Sequence, residues 1–230
     1  MNTPDKWIQT KLGPIHAHSR GSGPAVLLIH GSHPSNTWQV WEHNVDALAD
    51  AGFSVYALDL LGYGESARPL YRNPTGARTR GSSPAQEGDQ MLDHSQQATA
   101  LLELMDAEAL RTVMLGGVSW GGMVALELSL MAPDRVTGLI LVDSAGVGYY
   151  DQDRLESIAC PVLVVWGEDD TVIPLAHAAR FGAAIPDCRV EVIPDVTQQE
   201  GTPPWAGHHP MRFKPAEFNH IAISFLQGLL

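Results

Sequence analysis

The sequence has almost no cysteine, little positive charge and no long apolar run, and each shortage excludes a class of protein. Two thiols, Cys160 and Cys188, in 230 residues cannot build the disulfide framework of a small secreted domain. Neither stands at a spacing that metal ligation uses. Cys160 precedes an apolar run and reads as a small core residue. Lys and Arg number 14 against 26 Asp and Glu, for a net charge of −12, so a surface for nucleic-acid phosphates is not expected. No stretch nears the roughly 20 apolar residues that span a bilayer, and residues 1–7 hold no apolar segment of signal length. The expectation is a soluble, cytoplasmic protein without a membrane partner.

What is present is a globular composition, 44% apolar and 17% charged, of a length that suits one domain over residues 1–230 with a sizeable core. Residues 8–10 and 15–18 flank Gly13-Pro14 and read as a hairpin. Apolar runs at 25–29, 53–58, 112–115, 136–142, 162–166 and 189–193 read as strands. Helix-period segments at 38–51, 89–105, 120–131, 175–184 and 215–230 alternate with them. That order predicts an α/β fold with a mostly parallel sheet and helices on both faces. In such sheets ligands bind beyond the carboxyl ends of the strands. Two stretches break the pattern and read as loops, 67–88 and 194–210, and loops of that length are often functional.

Gly117-Val118-Ser119-Trp120-Gly121 matches G-x-S-x-G between a strand and a helix. A serine on so tight a turn needs small neighbours two residues away, and the turn lifts its hydroxyl above the sheet. The helix N-terminus behind it offers N–H groups to a developing oxyanion. A serine hydroxyl is a poor nucleophile until a neutral imidazole takes its proton. Of the histidines that follow Ser119, His177 and His220 fall in helical patterns. His208 and His209 lie in a loop between the last strand and the last helix.

Here the chain resembles a known family. Gly207-His208-His209-Pro210, with Lys214-Pro215 and Glu217-Phe218 behind it, is similar to the closing G-H-x-P…x-P-x-x-F block of α/β-hydrolase fold proteins. The resemblance makes His208 the base, with His209 as the alternative. Trp166-Gly167-Glu168-Asp169-Asp170 through Pro174 resembles the family's G-x-x-D-x-x-x-P turn, which makes Asp170 the acid that orients the imidazole. Asp143 is the rival, since some members carry the acid after the preceding strand. His30-Gly31-Ser32 resembles the H-G-x element, so the N–H groups of Ser32 and Trp120 are the expected oxyanion donors and His30 a brace for the loop. Asp59 to Ser66 resembles the D-x-x-G-x-G-x-S turn, an architectural element.

The resemblance runs from about residue 25 to 230 and implies an α/β-hydrolase fold. Only 146–156 separates the strand at 136–142 from the segment leading to the next, too little for a folded cap. The chain is thus similar to small lidless members, among them minimal esterases. The implied function is hydrolysis of a small-molecule ester or other acyl substrate through an acyl-enzyme on Ser119, with no cofactor and no metal. Activity is expected to fall on the acid side as the base charges. Trp205, Met123 and Phe213 are the candidate acyl pocket. Arg68, Arg72, Arg78 and Arg80 in the 67–88 loop are candidates for attracting an anionic substrate, against the alternative of a solvated loop. Two other readings stay open. The same triad serves carbon–carbon bond hydrolysis, perhydrolysis or lyase chemistry in relatives, and the scaffold also serves as a ligand-binding protein. Haloalkane dehalogenation is disfavoured, because it needs a carboxylate where Ser119 stands. Oligomeric state is not legible.

Overall fold

A computed structural model describes residues 5–69, 92–198 and 201–230. Strands β1 (Asp5–Thr10) and β2 (Gly13–Arg20) form the expected opening hairpin. They are followed by β3 (Ala25–Ile29), β4 (Ser54–Leu58), β5 (Val113–Val118), β6 (Val136–Val142), β7 (Val162–Gly167) and β8 (Cys188–Ile193). The eight strands lie in the order β1-β2-β4-β3-β5-β6-β7-β8. β2 pairs antiparallel with β1 and β4, and every later pairing is parallel.

Helices cover both faces, which is why all five residues of β3 are buried. Leu27, Ile29, Leu115, Leu141 and Val164 join one core with α2 (His94–Ala107), α3 (Trp120–Met131), α4 (Gln152–Glu156) and α5 (Ala176–Ala184). Their strand neighbours Val26, Leu28, Met114, Ile140 and Leu163 join the other. That side is covered by α1 (Glu42–Asp50), α6 (Pro210–Phe213) and α7 (Pro215–Gln227). The period-2 alternation of each strand thus feeds two cores at once. Of the sequence between β6 and β7 only α4 is helical, and no separate cap domain occurs among the described residues.

Several boundaries differ from the sequence expectation for local reasons. β5 runs three residues further, through Gly116 and Gly117, because close packing and not propensity governs there: a Cβ on Gly116 would stand 2.8 Å from Leu28 Cδ2. α2 begins at His94, not at 89. Asp93 caps it, accepting from the Gln96 N–H, while the Gln96 side chain accepts from the Asp93 N–H. Such a capping box stabilises a helix start by about 1 kcal/mol. α7 stops at Gln227 and not at the last residue. The 194–210 loop contains a 3-10 turn at Ala206–His208. Most of the 67–88 loop, with Arg72, Arg78 and Arg80, lies outside the described residues. Arg68 is exposed and donates to the Gly64 carbonyl at 3.3 Å.

Candidate active site

The site stands at the carboxyl ends of β5, β6 and β7. Ser119 follows β5 directly with φ 56° and ψ −122°, a left-handed conformation that costs a residue with a side chain about 1–3 kcal/mol. Its neighbours permit the turn. A Cβ on Gly117 would run into the Gly121 carbonyl, and one on Gly121 into the carbonyls of His30 and Ile29. Hydrogen bonds then over-determine it. Ser119 N–H donates to Val142 O (2.9 Å), and Ser119 O accepts from Gly122 N–H (3.1 Å) and Ala145 N–H (3.0 Å).

Asp170 and His208, 38 positions apart, meet across β7. His208 Nδ1 lies 2.8 Å from Asp170 Oδ2, and both side chains are buried. Asp170 is itself oriented: its Oδ1 accepts from Val172 N–H (2.7 Å) and Ile173 N–H (3.1 Å). The approach needs glycine on both loops. A Cβ on Gly167 would enter the Gly207 carbonyl, and one on Gly207 would stand 2.5 Å from Asp169 O and 2.8 Å from Asp170 N. Next to Asp170, Asp169 Oδ2 accepts from the Thr197 N–H (2.7 Å) and hydroxyl. These bonds hold its carboxyl below the usual range despite its burial. His209 packs edge-on to His208, and burial lowers its pKa to about 4, so the neighbouring ring adds no positive charge near neutrality. No hydrogen bond joins His208 to Ser119 Oγ; among the described residues the ring's one side-chain bond is to Asp170.

Of the two expected oxyanion donors, Trp120 follows Ser119 directly and Ser32 follows Gly31. No acceptor among the described residues takes the N–H of Ser32 or Trp120. A Cβ on Gly31 would stand 3.2 Å from Ser119 Cβ, which puts the His30-Gly31-Ser32 loop against Ser119. His30 is fully buried and braces that loop, with Nδ1 bonded to Gly31 O (2.8 Å) and Nε2 accepting from Leu60 N–H (3.1 Å). Burial lowers its pKa to about 4, so it stays neutral in this single tautomer. The Asp59 turn is a hub of backbone bonds. Asp59 accepts from Trp38 N–H (2.7 Å) and Glu65 N–H (3.0 Å) and pairs with the buried His16 (2.9 Å). Sequence reasoning missed Tyr63, which donates its hydroxyl to Ser32 O (3.1 Å) and ties the 30–32 loop to this turn. Its place inside the D-x-x-G-x-G-x-S block was the available signal.

Of the three candidate pocket residues, Trp205 and Phe213 meet. Trp205 is 44% exposed and packs edge-to-face on Phe213 at 5.5 Å. Phe213 leans on the core beneath α1 and α7, whereas Met123 leans on the opposite core. Two surface concavities, of about 380 and 430 Å³, lie elsewhere. The first is lined by Leu110, Arg111 and Arg135 at the amino ends of β5 and β6, the second by α5 and β8. One cluster with metal-like proximity occurs among the described residues, Asp143 with Asp170 and His208. It is the bonded His208–Asp170 pair plus one neighbour, and His208 Nδ1 and Asp170 Oδ2 already bond each other. Both cysteines are free. No helix among the described residues is long and apolar enough to cross a membrane.

Comparisons with known proteins agree on the scaffold. The family model of the alpha/beta hydrolase fold matches residues 24–149. The 2-hydroxy-6-oxo-6-phenylhexa-2,4-dienoate hydrolase of Comamonas testosteroni is 23% identical, over 93% of this chain and 91% of that protein. Its alignment is 288 positions long, more than the 230 residues here, so the relative carries residues with no counterpart. An epoxide hydrolase of Caballeronia sordidicola is 33% identical over 53% of this chain, which spans 31% of that protein in the match. The crystal structure of a carboxylesterase from Bacillus subtilis superposes with a TM-score of 0.77 at 20% identity, over 99% of this chain and 93% of that one.

Proposed function

The chain belongs to the α/β-hydrolase fold family, and on that premise we propose that it is a serine hydrolase cleaving carboxylic esters or related acyl compounds. Ser119 Oγ attacks the acyl carbon while His208 Nε2 takes its proton. Asp170 keeps the proton on Nδ1 and stabilises the imidazolium that forms. The N–H groups of Ser32 and Trp120 meet the oxyanion. Collapse of the tetrahedral species breaks the bond to the leaving alcohol, which takes the proton from His208. Water then attacks the acyl-Ser119 by the same route and frees the acid.

The observation that carries this reading is the buried 2.8 Å bond between His208 and Asp170, set beside a serine held at φ 56°. Ser119→Ala should abolish turnover of a short-chain aryl ester with the circular dichroism spectrum unchanged. A fluorophosphonate probe should label the wild type at Ser119 only. Turnover that survives in Ser119→Ala would overturn the assignment.

A second reading keeps the same residues for carbon–carbon bond hydrolysis, favoured by the relative from Comamonas testosteroni that matches over 91% of its length. An acyl-enzyme trapped on Ser119 and seen by mass spectrometry with an ester, and no turnover of a vinylogous diketone acid, would favour the ester reading.

A further inference from the structure

Asp143, the first residue after β6, ties together the three segments that bear the site. It is wholly buried, with φ 42°. Its N–H donates to Val165 O in β7 at 3.0 Å. The residues around it hold the nucleophile, since Val142 O and Ala145 N–H are the partners of the Ser119 backbone. Its Oδ1 accepts from Gly167 N–H at 2.9 Å, where β7 ends and the Asp170 turn begins. Its Oδ2 is buried and meets no donor. One polar atom from each of Asp143, Asp170 and His208 lies within 4.8 Å of the others.

An ionised carboxylate is an acceptor only, and two carboxylates this close and sealed from water do not both ionise. Asp170 is the one supplied with partners, since two N–H groups and the imidazole serve it, whereas Asp143 Oδ2 has none. Each of its oxygens carries more than one lone pair, so Oδ2 can accept a second hydrogen bond. We propose that Asp143 is a positioning residue that works as a neutral carboxylic acid, its Oδ2–H donating to the Asp170 carboxylate and holding it against His208. The groups facing it are Asp170 and, further off, Asp169 on the acid turn, with His208 on the base loop. Burial first, and then the charge of Asp170, push the Asp143 carboxyl well above the ordinary range, and the Gly167 N–H offsets this only in part. The inference rests on Asp170 and His208 being acid and base.

The test uses the whole protein with 13C-carboxyl aspartate. One aspartate signal should stay at the neutral-acid position from about pH 5 to about pH 9 and vanish in Asp143→Asn. Asn tolerates the left-handed backbone and its amide can still donate to Asp170. Asp143→Asn should therefore keep kcat on a short-chain aryl ester within about threefold. Asp143→Gly, which also accepts that backbone but offers no donor, should lose about 100-fold in kcat with KM little changed. Aspartate signals that all titrate as carboxylates would overturn the proposal. So would an Asp143→Asn variant as slow as Asp143→Gly. A wild type that turns over no ester would sink the reading of Ser119 instead, and the carboxyl signal would still decide Asp143.

Discussion

Replacing Ser119 by glycine should destroy catalysis and yet make the protein more stable. The backbone at this position has φ 56° and ψ −122°, where a Cβ costs about 1–3 kcal/mol. Glycine removes that strain, at a cost of about 0.4–1 kcal/mol in extra freedom of the unfolded chain. The hydrogen bonds that hold the turn come from the backbone, Ser119 N–H to Val142 O and Ser119 O from Gly122 and Ala145, so the substitution leaves them in place. The balance is a gain of about 1 kcal/mol, or about 2–4 °C in Tm for a chain of this size. Ser119→Ala keeps the Cβ and so the strain, and should show no such gain. Urea unfolding of wild type, Ser119→Ala and Ser119→Gly, followed by circular dichroism with m-values compared, measures the difference. Glycine ordinarily destabilises relative to alanine, so a Ser119→Gly variant less stable than Ser119→Ala would refute the claim that the turn is strained.

The remaining expectations concern acid stability and the base loop. His30 and His209, each lowered to about 4, are neutral at pH 7 in the folded chain and mostly so in the unfolded one. Between about pH 6.5 and 4 the unfolded chain binds protons that the folded rings refuse, so stability falls with falling pH by up to about 3 kcal/mol for each. His209→Phe should reduce the loss between about pH 7 and 4.5, and an unchanged loss in urea titrations would contradict this. Gly207→Ala drives a Cβ into Asp169 O and Asp170 N. It should cost about 1–3 kcal/mol in thermal unfolding and about 100-fold in kcat through displacement of His208; a wild-type rate on an aryl ester would count against the contact.

The sequence by itself determined the order of strands and helices, because burial on both sheet faces leaves continuous apolar runs such as 25–29 and 136–142. It also marked where the chemistry would lie, since a G-x-S-x-G turn between a strand and a helix needs its glycines for steric reasons visible in the residues themselves. It pointed to Asp170 and His208 by resemblance and left Asp143 and His209 as alternatives. Only the tertiary structure decided which carboxyl faces the imidazole, because that depends on two glycine-lined loops, 40 positions apart, approaching closely enough for a 2.8 Å bond. The same holds for the bond from Tyr63 to Ser32 and for the buried Asp143 carboxyl. Local sequence encodes torsion preference and periodicity, whereas contacts between distant loops are set by how the finished sheet twists and packs. Likewise only the structure shows that Trp205 packs on Phe213 while Met123 leans on the opposite core, a relation that spacing along the chain does not carry.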